Sequence, residues 1–137
     1  MDNSFPNAVP EIPVGNVGEA AEYYEKCFGF HQDWGGEEGG IGQVSRGNCR
    51  LFLTNDAFRT NYGKVGAPVV IWVNLNSKLE VDALHEAWSS NGARISSKPE
   101  SKPWHLHEFT ATDLYGNLLR VFYDFAWELS DRGGRQG

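Results

Sequence analysis

Asn16-Val17-Gly18-Glu19-Ala20-Ala21-Glu22-Tyr23-Tyr24-Glu25-Lys26-Cys27-Phe28-Gly29 reads as one amphipathic helix. Ala20, Ala21, Tyr24, Cys27 and Phe28 fall at helical spacing on one face, with Glu19, Glu22 and Glu25 mostly on the other. Asn16 is placed to cap the helix and Gly29 to end it in a left-handed conformation. Before it, Ala8 to Val14 is partly alternating and reads as a strand. Its prolines, Pro10 and Pro13, lack a ladder donor and place it at an edge or in exchange with a partner. After it come three strand candidates: Phe30 to Trp34, Ile41 to Arg46 and Cys49 to Thr54. They are separated by the glycine-rich run Gly35 to Gly40 and the turn Arg46-Gly47-Asn48. This is a βαβββ order.

The same order then recurs. Asn55 to Ala67 reads as a polar loop, and Val69 to Asn74 as a strand. Asn76 or Ser77 caps a helix in which Val81, Leu84 and Trp88 share a face, and Asn91-Gly92 ends it. Arg94 to Ser97 reads as a short strand, Lys98 to Lys102 as a loop, and His107 to Thr112 and Leu118 to Tyr123 as two strands around an Asp113–Asn117 turn. Val14-Gly15-Asn16-Val17 before the first helix matches Val73-Asn74-Leu75-Asn76 before the second. The expected fold is α+β: two tandem βαβββ modules, residues 7–54 and 68–123, in one domain of residues 1–123. Each half-sheet has an apolar face that it cannot bury alone, which predicts pairing around a shared cleft. A tail follows from residue 124 to 137. Its Phe125, Trp127 and Leu129 could dock, and Gly133 to Gly137 are expected to be disordered.

At 137 residues, with 40% hydrophobic and 13% aromatic side chains, one globular domain with a real core is expected. Acids outnumber bases 18 to 12, and no Lys/Arg cluster offers a phosphate-neutralising face, so a nucleic-acid partner is not expected. The net charge of −6 favours cationic ligands. No apolar run has membrane-helix length and no secretory leader is visible, so a soluble cytoplasmic protein without a membrane partner is expected. Cys27 and Cys49 read as buried free thiols, though one disulfide is geometrically open.

Candidate chemistry is sparse. His105-Leu106-His107-Glu108 is the densest cluster of possible metal ligands, but an HxH pair supplies at most two or three. The histidines read more readily as ordinary loop or binding-face residues. There is no nucleophile elbow, P-loop or dinucleotide fingerprint. Asp33, Glu37 and Glu38 form an acidic patch beside Trp34: either a solvated loop or a surface recognising a cation. Trp34 and Trp104 belong to no helix stripe. Each is either a core lid or a ligand-stacking surface.

In order along the chain, several segments resemble the bleomycin-resistance proteins of the vicinal-oxygen-chelate superfamily. They are Ala8-Val9-Pro10, Asn16 through Phe30, Arg46-Gly47 with Leu51-Phe52-Leu53, Asp82 to Glu86, Pro103-Trp104 with Glu108-Phe109, and Asp113 with Gly116-Asn117. That superfamily also holds glyoxalases, fosfomycin-modifying enzymes and extradiol dioxygenases. The resemblance implies a half-barrel cleft in a homodimer that exchanges its first strand. Its enzymes hold a metal at positions that fall here on Val9, Phe52, Pro68 and Arg120. None of these side chains ligates a cation, which points away from a metal cofactor and toward binding without catalysis. The resemblance places Trp34 and Trp104 at ring-stacking positions with Asp33 adjoining the first; with Glu37, Glu38, Phe52 and His107 they are the expected ligand-binding residues for a planar, cationic antibiotic of the bleomycin type. The competing expectation is a metal-dependent glyoxalase-like or dioxygenase-like enzyme with ligands displaced to His105, His107 and Glu108.

Overall fold

The computed structural model describes residues 5–60 and 67–132. The chain divides between Ala67 and Pro68 into two compact units, each built on one four-stranded sheet.

The first unit runs β1 (Glu11–Pro13), α1 (Val17–Phe28), β2 (His31–Gly36), β3 (Ile41–Arg46), β4 (Cys49–Thr54) and a short α2 (Asp56–Arg59). The strand order is β1-β4-β3-β2, with β1 parallel to β4 and the other pairs antiparallel. The proline-bearing strand is indeed an edge, and it pairs with β4 of its own unit. Asn16 accepts from the Glu19 amide at 2.8 Å, and Gly29 closes α1 at φ 76°. The apolar stripe of α1 lies on the sheet, where Val17, Tyr24 and Phe28 bury Ile12, Val44, Leu51 and Leu53. Tyr24 meets Phe28 and Phe30 edge-on at 5.1 and 5.6 Å. Strand alternation therefore turns Glu11, Gln43, Arg50 and Phe52 to the other, open face.

The second unit runs β5 (Val70–Asn74), α3 (Lys78–Ser90), β6 (Arg94–Ser101), β7 (Leu106–Thr112), β8 (Leu118–Asp124) and α4 (Ala126–Arg132). Its order, β5-β8-β7-β6, repeats the first unit strand for strand. Ser77 is the cap of α3, accepting from Glu80 at 3.1 Å. Val81 and Trp88 of that helix bury Phe109, Ala111, Leu119 and Val121. The β7–β8 turn is held from inside. Asp113 accepts from the Tyr115 and Asn117 amides at 2.8 and 3.0 Å, and Asn117 accepts from the Val69 amide at 3.0 Å.

Several stretches differ from the sequence reading: β1 is confined to Glu11–Pro13, β2 runs on into the glycine run as far as Gly36, and the tail carries the helix α4. Lys98 to Ser101 is strand rather than loop, since β6 continues through Pro99 to Ser101. β6 is an edge with register irregularities between Ile95 and Ser97 and between Ser97 and Glu100, so a residue without an amide hydrogen is accommodated there. The polar loop after β4 begins with α2, because the Asn55 side chain caps it by accepting from Phe58 at 3.0 Å. The rest of that loop, residues 61–66, lies outside the described residues, as do Gly133 to Gly137 and the disorder expected of them. The tail docks in part: Phe125 is buried, while Trp127 and Leu129 are half-buried, Trp127 meeting Tyr123 edge-on at 6.5 Å. Cys27 is buried and Cys49 partly so, both as free thiols whose pKa is raised by burial. No helix among the described residues is long and apolar enough to cross a membrane.

Candidate functional site

On the open face of the first sheet, polar and aromatic side chains form one connected layer. β2 carries an irregularity between Gln32 and Trp34, so Asp33 is the extra residue. That bulge re-aims its carboxylate over the neighbouring strand. Gln43 donates to Asp33 Oδ2 at 2.8 Å, and His31 Nδ1 lies 2.9 Å from Oδ1. Hydrogen bonds from Gln43, His31 and Ser45, in that order of weight, pull the Asp33 pKa down to about 2. Asp33 is thus a fixed negative charge at any physiological pH. Beside it, Trp34 is 49% exposed, and its ring lies 5.5 Å from Phe52 at 58°. At the β2 edge, on the side facing α1 rather than on the open face, a cavity of about 140 Å³ is lined by Val17, Gly18 and Ala21 of α1 and by Gln32 to Gly36 and Gly42 of the sheet. A void of roughly 150 Å³ holds one benzene ring, so the space suits a single flat ring or an end group.

Gly35 makes this geometry possible. It sits at φ 87°, and a Cβ there would collide with the Ile41 carbonyl. Glu37 does something other than wait for a ligand. Its carboxylate accepts from the Val17 amide at 2.6 Å and from Asn55 Nδ2 at 3.1 Å, fastening the β2–β3 turn to the start of α1. Glu38 is exposed in the same turn.

On the open face of the second sheet, β8 turns Leu118, Arg120 and Phe122 outward and β5 turns Val70 and Trp72 the same way. Glu108 of β7 joins them, with its side chain only 1% exposed. One carboxylate oxygen pairs with Arg120 Nη2, and the other accepts from Trp104 Nε1 at 3.0 Å. Trp104 stands in the β6–β7 turn, 57% exposed, next to His105 at φ 69°. The Arg120 guanidinium lies 4.5 Å above the Trp72 ring, and Trp72 meets Phe122 edge-on at 5.5 Å.

His107 is not part of this layer. Adjacent strand residues point to opposite faces, so it turns toward α3 while Glu108 turns away. Its Nε2 lies 2.8 Å from Asp82 and its Nδ1 2.9 Å from Ser101. His105 packs against Phe125 at 5.6 Å. The structure therefore does not gather His105, His107 and Glu108 into one ligand set, and no group of three or more potential His, Cys, Asp or Glu ligands occurs among the described residues. At the positions that the resemblance assigns to a metal, Phe52 is a hydrocarbon ring on the first open face. Arg120 is a cation on the second, and Val9 and Pro68 precede the two edge strands. Those side chains do not fit a divalent ion.

The sequence reading passed over Gln43, Trp72 and the Glu108–Arg120 pair. The alternation of Leu118, Arg120 and Phe122 carries the signal for Arg120. Nothing local announces Gln43, whose role comes from its strand partner.

The comparisons agree with this architecture. No curated protein sequence matches the chain. A glyoxalase/bleomycin resistance protein/dioxygenase from Nocardioides superposes with a TM-score of 0.73 at 18% identity, covering 100% of this chain and 91% of that one. Lactoylglutathione lyase from Agrobacterium tumefaciens gives 0.68 at 18% identity, covering 89% and 97%. TioX from Micromonospora sp. ML1 gives 0.67 at 16% identity, covering 86% and 99%. At these identities the likeness is one of fold. The family model for the glyoxalase/bleomycin resistance protein/dioxygenase superfamily, a group of both enzymes and binding proteins, matches residues 8–121, and the chain belongs to that superfamily.

Proposed function

We propose that this protein binds and sequesters a planar small molecule with a cationic end, without chemical conversion, and that the open face of the first sheet provides the primary contact. The observation that carries this reading is the pairing of a half-exposed Trp34, braced by Phe52, with the permanently ionised Asp33. A flat ring gains stacking and apolar burial on the tryptophan, and a positive group gains a carboxylate already oriented by Gln43 and His31. Trp104 offers a second stacking surface in the second unit. Phe52 and Arg120, at positions where superfamily enzymes keep metal ligands, support binding over metal-assisted catalysis. Glu38 adds long-range attraction, whereas Glu37 holds the turn.

A glycopeptide antibiotic of the bleomycin type matches this chemistry, with flat heteroaromatic rings and a cationic tail. Calorimetry with metal-free bleomycin, wild type beside Trp34→Ala and Asp33→Asn, tests the reading. Trp34→Ala is expected to weaken binding by about tenfold or more, since 1.4 kcal/mol of stacking and burial is a factor of ten. Asp33→Asn should flatten the salt dependence of affinity. Equal affinity in wild type and both variants would remove this surface from the function. Failure of wild type to bind would remove bleomycin and move the test to simpler planar cations.

A further inference from the structure

We propose that Ser101, His107 and Asp82 act as nucleophile, general base and orienting acid, and that the protein hydrolyses small carboxylic esters through them. The three lie on the α3 side of the second unit's sheet and share no residue with the cation-binding reading, so either can fail while the other stands.

No local motif announces these residues, because they come from three elements: Asp82 from α3, Ser101 from the end of β6 and His107 from β7. Strand register brings two of them together. Ser101 and His107 are partners across β6 and β7, and the next amide along, that of Lys102, donates to the Leu106 carbonyl at 2.9 Å. The pair therefore exchanges no backbone hydrogen bonds, the arrangement in which opposed side chains stand closest. Ser101 Oγ lies 2.9 Å from His107 Nδ1, and Nε2 lies 2.8 Å from Asp82 Oδ1. A carboxylate only accepts, so Asp82 holds the ring proton on Nε2 and leaves the Nδ1 lone pair to the serine hydroxyl. Such a constellation is recognised by geometry and roles, whatever the order along the chain. The His107 side chain is 12% exposed, whereas Ser101 is exposed at the strand end. The base is held by its neighbours while the nucleophile is open to an incoming acyl group. The same pairing turns the Ser101 N–H outward at the sheet edge, where no strand follows β6 among the described residues. That amide is placed to donate to an oxyanion formed on Ser101.

In the reaction, Ser101 Oγ bonds to the ester carbonyl carbon as its proton passes to Nδ1. The bond to the leaving oxygen breaks, and that oxygen takes the proton from Nδ1. Water then gives a proton to Nδ1 and bonds to the acyl carbon. The bond to Oγ breaks, Oγ takes the proton back, and the carboxylic acid departs. An aryl ester with a small acyl group suits an open serine, because a phenolate leaves with little help from an acid.

The test uses 4-nitrophenyl acetate with the full chain near neutral pH. Nitrophenol release is followed by absorbance, and the acetylated residue is mapped by mass spectrometry after an acid quench. The acetyl group is expected on Ser101. Release should fall at least about tenfold in Ser101→Ala and in His107→Gln, since a positioned general base contributes about a hundredfold or more. Asp82 is a positioning residue: Asp82→Ala should slow release several-fold and convert the Nε2–H tautomer of His107, seen by imidazole nitrogen NMR, into a mixture. Ester hydrolysis unchanged in Ser101→Ala would overturn the proposal, as would acetylation confined to lysine or tyrosine. Loss of activity in His107→Gln without loss in Ser101→Ala would assign the reaction to the bare imidazole and overturn it equally.

Discussion

Asp33 and Glu108 show how two carboxylates in related sheets acquire different roles from their neighbours. Asp33 is reachable by solvent and kept ionised by hydrogen bonds from Gln43, His31 and Ser45. Its folded pKa is depressed, so its contribution to stability is present above the ordinary carboxylate value and is lost as pH falls toward about 2. Carboxyl 13C NMR should show Asp33 titrating near that value, and Gln43→Ala should move it upward toward the ordinary value. Glu108 is buried and lives on its partners. Glu108→Ala leaves the Arg120 guanidinium and the Trp104 indole without an acceptor, and breaking such a pair costs about 3 kcal/mol. Urea denaturation measures this, and Glu108→Gln, which keeps a neutral acceptor, should lose distinctly less. Gly35→Ala belongs at this scale as well. A left-handed backbone and a clash with the Ile41 carbonyl predict destabilisation of about 2 kcal/mol or more.

The helices and turns obey local rules that single residues control. Asn16 caps α1 and Ser77 caps α3, each satisfying an amide that the helix cannot satisfy itself. Replacing either by Ala is expected to cost about 1 kcal/mol in thermal or chemical denaturation. The two losses should add, because the caps share no hydrogen-bond partner. Glu37 extends the same logic through space by reaching the Val17 amide from a turn twenty residues away. Glu37→Gln should therefore lower stability, while Glu38→Gln should leave it unchanged within about 0.5 kcal/mol, as surface substitutions usually do.

For the whole molecule, each unit has one sheet face covered by its helix and one open face carrying the side chains of interest. Exposed Trp34, Trp72 and Trp104 on or beside those open surfaces are more apolar area than isolated surface residues require. A homodimer is the expected assembly, with a light-scattering mass of twice the 15.3 kDa chain. Removing residues 1–9 leaves β1 itself in place, since its pairing with β4 begins at Glu11. Conversion to monomer on that deletion would assign the first residues to the dimer contact. A dimer that survives it would exclude residues 1–9 from the dimer contact.

The amino-acid sequence alone determined the two βαβββ modules, their helices and most strand limits. Helical spacing, alternation, caps and glycine turns act over a few residues and need no tertiary information. It also carried the resemblance that the family match bears out, and it pointed to Trp34 and Asp33 as neighbours. Tertiary structure decided which partners Asp33, Glu37, His107 and Glu108 have. The bulge at Asp33 set its partners, the turn geometry diverted Glu37 to a helix amide, and the strand pleat sent His107 toward α3 and Glu108 to the opposite face. It alone revealed Arg120 lying on Trp72, residues forty-eight positions apart that only a parallel strand pair makes adjacent. Periodicity reports which face a residue occupies, whereas its hydrogen-bond partners come from strand register, which is settled only when distant segments pack.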